Sequence, residues 1–232
     1  MGFFWTNETV RWFTDASNYT GFHENLAKEL LPELEASDQI FDFGCGLGRL
    51  DIALAPHVEK ITGFDLSDEA LSAFKDEVAC KNIQNITILH KDATTVSGQC
   101  DVGIMSFFGR SAEEMALYHE KCNRKLIRII NMENKSTLYP LLHRQTDKNT
   151  YDVVVDQLAE NGYSYEFKEA FIEFGQPFQS KEEAYPFLLD KAPSITRAEM
   201  DAFLEEKLEQ TNDPQFPFYL PNKKSIGIFI IS

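Results

Sequence analysis

Apolar residues recur along this chain with two different periods. Within residues 7–35 they return at helical spacing. Tyr19, Phe22, His23, Leu26 and Leu30 fall at i, i+3, i+4, i+7 and i+11, an amphipathic stripe, with Pro32 near its end. From residue 39 short apolar runs alternate with helical stretches. The pattern predicts strands over 39–43, 60–65, 86–90, 101–106 and 126–131, and helices over about 47–57, 67–81 and 111–123. Ser67 is placed to cap the second of these helices, with Asp68 and Glu69 complementing its dipole. Strands alternating with helices argue for parallel units with right-handed crossovers. After residue 134 the rhythm changes. A helical connector over 136–148 and a helix over 150–161, stopped by Asn161-Gly162, lead to a long strand from Tyr163 to Phe174. A last strand runs over 224–231. Between these two strands, 175–215 holds Pro177, Pro186 and Pro193 and two helices, near 180–190 and 196–210. An interruption that long reads as a lid or binding element.

Composition narrows the class. The 232 residues are 43% hydrophobic and 12% aromatic, enough for one sizeable core, and one domain over 1–232 is expected. The net charge of −15 disfavours phosphate backbones and anionic membranes, so neither nucleic acid nor membrane is expected as a partner. Cys45, Cys80, Cys100 and Cys122 lack paired spacing, which points away from a metal site or a disulfide framework and toward the cytoplasm. Residues 1–6 do not read as a signal peptide. Oligomeric state is left open.

The chemistry concentrates at Asp42-Phe43-Gly44-Cys45-Gly46-Leu47-Gly48-Arg49. An apolar run ends at three alternating glycines, a helix follows, and the next run ends in Gly63-Phe64-Asp65. Strand, glycine loop, helix, strand and acid are the parts that hold a nucleoside-bearing cofactor at the carboxyl ends of strands. A dinucleotide fingerprint wants its third glycine where Arg49 stands; a P-loop lacks its Gly-Lys-Ser/Thr. A phosphate-free nucleoside needs glycines only for clearance. Asp65 suits a ribose diol under either nucleoside reading.

Four motifs in register, namely the glycine loop, Gly63-Phe64-Asp65-Leu66-Ser67, Lys91-Asp92-Ala93 and Asp101-Val102-Gly103-Ile104-Met105-Ser106, resemble those of class I S-adenosylmethionine-dependent methyltransferases. The likeness covers about residues 36–135. It implies a three-layer, Rossmann-like α/β fold of about seven strands, mostly parallel with an antiparallel C-terminal strand. Residues 1–35 would form a helical cap, 36–135 the cofactor-binding half, and 136–232 a second half with a lid-like insertion over 175–215. It further implies that Gly44, Cys45 and Gly46 approach the methionine part, Asp65 and Leu66 the ribose and adenine, Asp92 and Ala93 the adenine edge, and Ser106 and Phe107 the neighbourhood of the methyl group. No metal is expected.

The acceptor is less legible. Ser106-Phe107-Phe108-Gly109 lacks the double proline that methyltransferases of planar nitrogens carry there, which favours a small-molecule acceptor. Tyr19 is a candidate contact for cofactor or acceptor, since its hydroxyl needs a partner if buried. His23, Glu133 and His143 are candidate bases, with His23 on the inward stripe. A nicotinamide-dependent oxidoreductase and a non-catalytic nucleoside-binding domain are the alternatives.

Overall fold

The structure is a computed structural model and describes residues 5–109, 111–132, 137–140, 143 and 149–232. Two helices open it, α1 (Asn7–Thr20) and α2 (Phe22–Leu30). The single helix expected over 7–35 is split at Gly21, which takes a left-handed φ of 62° and donates its N–H to Ser17. A residue in that conformation ends a helix and starts the next in a new direction. Thr6 and Thr9 form a reciprocal capping box at the start of α1.

The alternating part then runs β1 (Gln39–Phe43), α3 (Arg49–Leu54), β2 (Lys60–Asp65), α4 (Asp68–Cys80), β3 (Ile86–His90), β4 (Cys100–Ser106), α5 (Ala112–His119) and β5 (Cys122–Asn131). Ser67 caps α4 as expected, accepting from the Ala70 amide at 3.2 Å. The helix expected to reach 123 stops at His119, because Cys122 already pairs with Cys100 in the sheet and β5 begins four residues early. α6 (Tyr151–Asn161) and β6 (Tyr165–Glu173) follow, then β7 (Gln176–Phe178), α7 (Ala184–Lys191), α8 (Arg197–Lys207), β8 (Glu209–Gln210), β9 (Phe218–Leu220) and β10 (Lys223–Ile231).

Seven strands form one sheet in the order β3-β2-β1-β4-β5-β10-β6. β1 to β5 are mutually parallel, and β10 lies antiparallel between β5 and β6. One face packs Leu26 and Leu30 of α2 and Leu50 and Leu54 of α3 on Ile40, Ile61, Val102, Ile104 and Ile129. The other packs Met115 and Tyr118 of α5 and Val154 and Leu158 of α6 on Phe43, Phe64, Met105, Ile130 and Phe229. The two faces and the sheet are the three layers, and the order reverses direction between β1 and β4, where ligands bind in such sheets.

The insertion is more ordered than a helical lid. β7, β9 and β8 make a separate three-stranded sheet, and Trp12 of α1 packs into its core with Phe178, Phe187, Leu188 and Leu204. The cap and the insertion thus share one apolar cluster. Among the described residues no helix is long and apolar enough to cross a membrane.

Candidate cofactor and active site

The glycine loop leaves β1 at its carboxyl end and is stitched to β2. The amides of Gly44 and Cys45 both donate to the Phe64 carbonyl, at 2.8 and 3.0 Å. Gly44 has φ 80° and Gly48 φ 59°, values an L side chain rarely adopts. At Gly44 a Cβ would also enter the Phe108 ring, and at Gly48 the Phe74 ring of α4. Two of the three glycines therefore clear aromatic packing. Gly46 is covered by Trp5, whose ring lies 3.4 Å from where its Cβ would stand.

Asp65 ends β2 and organises the crevice. Its Oδ1 accepts from the amides of Leu66 (2.7 Å) and Ser67 (2.9 Å), and its Oδ2 accepts from Gly46 (2.9 Å). A carboxylate offers about four lone-pair sites, so three main-chain donors leave one on Oδ2. Beside it Leu66 is 61% exposed, an apolar side chain held out at the rim. Asp92 uses Oδ1 for the Thr94 amide and hydroxyl, at 2.9 and 2.8 Å, which holds its carboxyl below the usual carboxylate range. It is thus the cap of a short turn, Ala93–Thr95, with its other oxygen outside those bonds. Ala93, the first residue of that turn, is buried.

Below the loop lies an arrangement that the motifs do not announce. Asp42 of β1 and Asp51 of α3 are both buried, and Asp42 Oδ1 and both Asp51 oxygens have no hydrogen-bond donor among the described residues. Burial pushes both carboxyls up, Asp42 to about 7 and Asp51 well above its ordinary value; the hydrogen bond to Asp51 draws Asp42 back down while the Asp65 charge raises it, and Asp42 raises Asp51 further through its charge and hydrogen bond. Two facing acceptors of this kind share a proton. Cys45 sits against the same pair, and burial and those carboxylates raise its thiol, which makes it inert filler and no nucleophile.

After β4 the chain turns sharply at Phe107, a non-glycine residue at φ 55°. The turn sends the Phe108 ring to Gly44 and the Phe107 ring to the opposite side, against α2. Ser106, half-buried at the strand end, stands just before it. Trp5, Phe13, His23 and Phe174 continue the aromatic layer: Trp5 meets Phe13 edge-on at 5.3 Å, and Phe13 lies 5.4 Å from His23 and 5.2 Å from Phe174.

The candidate bases are not brought together. His23 is buried, its Nδ1 2.7 Å from Ser17 Oγ, and burial followed by the Lys224 and Arg49 charges lowers its pKa to about 3. It is neutral at pH 7 and a weak base. His143 bonds Ser194 at 3.0 Å and Glu199 at 3.4 Å, both in the insertion. Glu133 lies outside the described residues. Tyr19 packs on Tyr219 at 5.0 Å and Phe216 at 5.8 Å, and lines a recess of about 270 Å³ with Asp15, Asn18, Asp213 and Gln215. The N-terminal segment is unusually aromatic in sequence, and of its aromatic residues it is Trp5 that covers Gly46. Among the described residues no three His, Cys, Asp or Glu side chains gather as a metal site.

These parts have the geometry of the class I S-adenosylmethionine-dependent methyltransferase fold, as the motifs implied. Residues 40–129 match the family profile described as a methyltransferase domain. The chain is 28% identical over 152 residues to a ribosomal protein L11 methyltransferase of Clostridium botulinum, covering 62% of this chain and 44% of that protein. The chain therefore spans less than half the length of that relative. Among solved structures, a methyltransferase from Thiobacillus denitrificans in complex with S-adenosylhomocysteine superposes with a TM-score of 0.55 at 18% identity, covering 91% of this chain and 90% of that one. The magnesium protoporphyrin IX methyltransferase of Synechocystis, with the same product bound, gives 0.54 at 13% identity, over 98% and 89%. The residues present fit an adenosyl group: a carboxylate with one acceptor site left, an exposed leucine beside it, and a second carboxylate with one oxygen outside its own turn.

Proposed function

We propose that this protein transfers a methyl group from S-adenosylmethionine to a small-molecule acceptor. The observation that carries the reading is Asp65, fixed by three main-chain N–H groups between the glycine loop and β2 with acceptor capacity left on Oδ2. When bound, S-adenosylmethionine supplies a methyl group already activated by its sulfonium. The chain's part is to bind, orient and exclude water. Asp65 Oδ2 accepts from a ribose hydroxyl and Leu66 covers the adenine. Asp92 accepts from the adenine amino group while the Ala93 amide donates to the ring. The main chain of Gly44, Cys45 and Gly46 borders the methionine part, with Ser106 and Phe107 toward the methyl group. The aromatic layer of Trp5, Phe13, Phe22 and Phe174 keeps water out. Tyr19 contacts the acceptor from its recess, His23 orients the layer, and Glu133 stays a candidate base.

A small acceptor is supported by the net charge of −15. The magnesium protoporphyrin enzyme is named for such a substrate, whereas other relatives are named for ribosomal protein L11 and for RNA. We assign the activity to the cytoplasm, because all four cysteines are free.

Thermal unfolding with S-adenosylmethionine, S-adenosylhomocysteine or NADH tests the cofactor. A ligand at a hundred times its Kd stabilises by about 2.7 kcal/mol, roughly 5–10 °C here. A shift with NADH and none with either sulfur compound would overturn the reading. Incubation of cell extract with methyl-labelled cofactor tests the acceptor. Label is expected in the low-mass fraction; label confined to protein or RNA refutes a small acceptor.

A further inference from the structure

One face of the sheet at β1 to β3 is packed by α2 and α3. On the other face the crossover from β3 to β4 brings no α-helix, only the Ala93–Thr95 turn and the residues up to Gln99. Parallel strands are normally covered on both faces, and here the missing helix leaves a recess of about 360 Å³. Register explains its floor. Phe41 stands beside Thr62 and Thr62 beside Thr87, while Phe64 stands beside Leu89, so these side chains share one face. Leu89 is 39% exposed there. Lys60, at the start of β2, and Lys91, just past the end of β3, stand at opposite ends. Neither makes an ion pair among the described residues. The chain has 37 acidic residues against 22 basic ones, yet no carboxylate lines this recess. It fits a surface that is apolar in the middle and acidic at both ends.

The chain itself carries such a surface. α5 covers the neighbouring part of the same sheet face, with Met115 and Tyr118 turned inward. Its outer side presents Glu113, Leu117 and Glu120, at i, i+4 and i+7, which is one stripe of a helix. Leu117 is 41% exposed, a large apolar side chain between two acids. Recess and helix lie side by side, because the segment 91–99 lines the one and touches the other. α5 runs back against the strands, from the carboxyl end of β4 to the amino end of β5. Glu113 is therefore level with Lys91, and Glu120 with Lys60. A two-fold axis parallel to the strands, passing between recess and helix, keeps those levels. It lays the α5 of each copy in the recess of the other. The two glutamates are about 10 Å apart along the helix. Six residues of strand, about 20 Å, separate the lysine positions, and the flexible lysine stems reach inward across the difference.

We propose that this face is a self-association surface and that the chain forms a two-fold symmetric dimer. Leu117 of each copy enters the recess of the other, Glu113 pairs with Lys91 of the second copy, and Glu120 with its Lys60. The contact is isologous and closes after two copies. Apolar burial supplies the attraction, and the ion pairs at the rim set the register more than the affinity. The charge of −15 on each copy opposes approach, so the affinity is modest. The proposal is independent of the methyl-transfer reading.

Sedimentation velocity of the full chain from about 1 to 200 μM tests it. Wild type is expected to pass from monomer to dimer within that range. Leu117→Ser, Lys60→Glu and Glu120→Lys are each expected to weaken the dimer at least about tenfold. The double variant Lys60→Glu/Glu120→Lys restores opposite charges at both contacts. An equimolar mixture of the two single charge variants does the same, since each copy then supplies the partner that the other needs. Both are expected to regain dimer to within about threefold of wild type. All three side chains are exposed, so far-UV circular dichroism is expected to be unchanged throughout. A wild type that stays monomeric at the highest concentration overturns the proposal. A dimer that the single variants leave unchanged places the interface elsewhere and overturns it too, as does a loss that neither the double variant nor the mixture repairs.

Discussion

Asp51 faces Asp42 beneath the glycine loop, and the pair keeps at least one proton that the unfolded chain has lost. Replacing Asp51 by Asn keeps the shape and removes the need for that proton. The sign follows from linkage: a carboxyl raised in the folded state adds stability that is complete below the unfolded pKa and is lost as pH rises. Unfolded aspartates are ionised above about pH 5, and Asp51 is pushed well above its ordinary value of 3.8 by burial and by Asp42. The pair's proton is held up to the folded Asp42 value of about 7, and one bound proton over the two units from pH 5 to pH 7, at 1.36 kcal/mol per unit, is about 2.7 kcal/mol. Wild type is therefore expected to lose about 2.7 kcal/mol more stability than Asp51→Asn between pH 5 and pH 8. The assay is urea unfolding followed by Trp fluorescence at pH 5, 6, 7 and 8, with all other groups shared by the two proteins. The Asn amide can donate to Asp42, so the variant is expected to be the more stable one at pH 8. Parallel stability curves for the two proteins would refute the shared proton.

Other outcomes follow from the same geometry. His23 gives the opposite sign: its folded pKa of about 3 lies below its unfolded 6.5, so stability is complete above pH 6.5 and falls on acidification. His23→Gln should remove about 2 kcal/mol of the loss between pH 6.5 and pH 5, measured by the same unfolding series. Gly48→Ala combines a left-handed φ with collision into Phe74 and should destabilise by about 2–4 kcal/mol in the urea midpoint. Asp65→Ala removes the acceptor for three amides as well as for the ribose, so S-adenosylhomocysteine affinity should fall by about 1.5–3 kcal/mol in calorimetry, with a loss of stability alongside. Arg128→Ala should cost about 3 kcal/mol or more in unfolding, because a fully buried guanidinium that bonds Gln157 at 2.6 Å leaves that amide and a cavity behind.

Much of the cofactor half was legible before folding. The predicted strands 39–43, 60–65 and 86–90 are β1, β2 and β3 without change, because each is a short apolar run closed by glycine, acid or polar residues. Ser67 was legible as a cap because capping depends only on neighbours along the chain. Gly21 was not, since a left-handed stop inside a continuous apolar stripe leaves the periodicity intact. The second sheet was equally hidden: β7, β8 and β9 are two or three residues long, too short for alternation to register.

The candidate site divides along the same line. Glycine loop and Asp65 belong to adjacent strands of one unit, so their meeting at the carboxyl end of β1 and β2 is fixed by local order and by the handedness of the crossover. Tyr19 shows the limit. Its place on an amphipathic stripe established that it points inward, but what lies there is set by Phe216 and Tyr219, nearly two hundred residues away. The Asp42–Asp51 pair and the recess over β1 to β3 are of that second kind. Charge and aromaticity are local properties of a residue, and the sequence states them. Desolvation, shared protons and recesses are properties of what surrounds it, and long-range packing alone decides those.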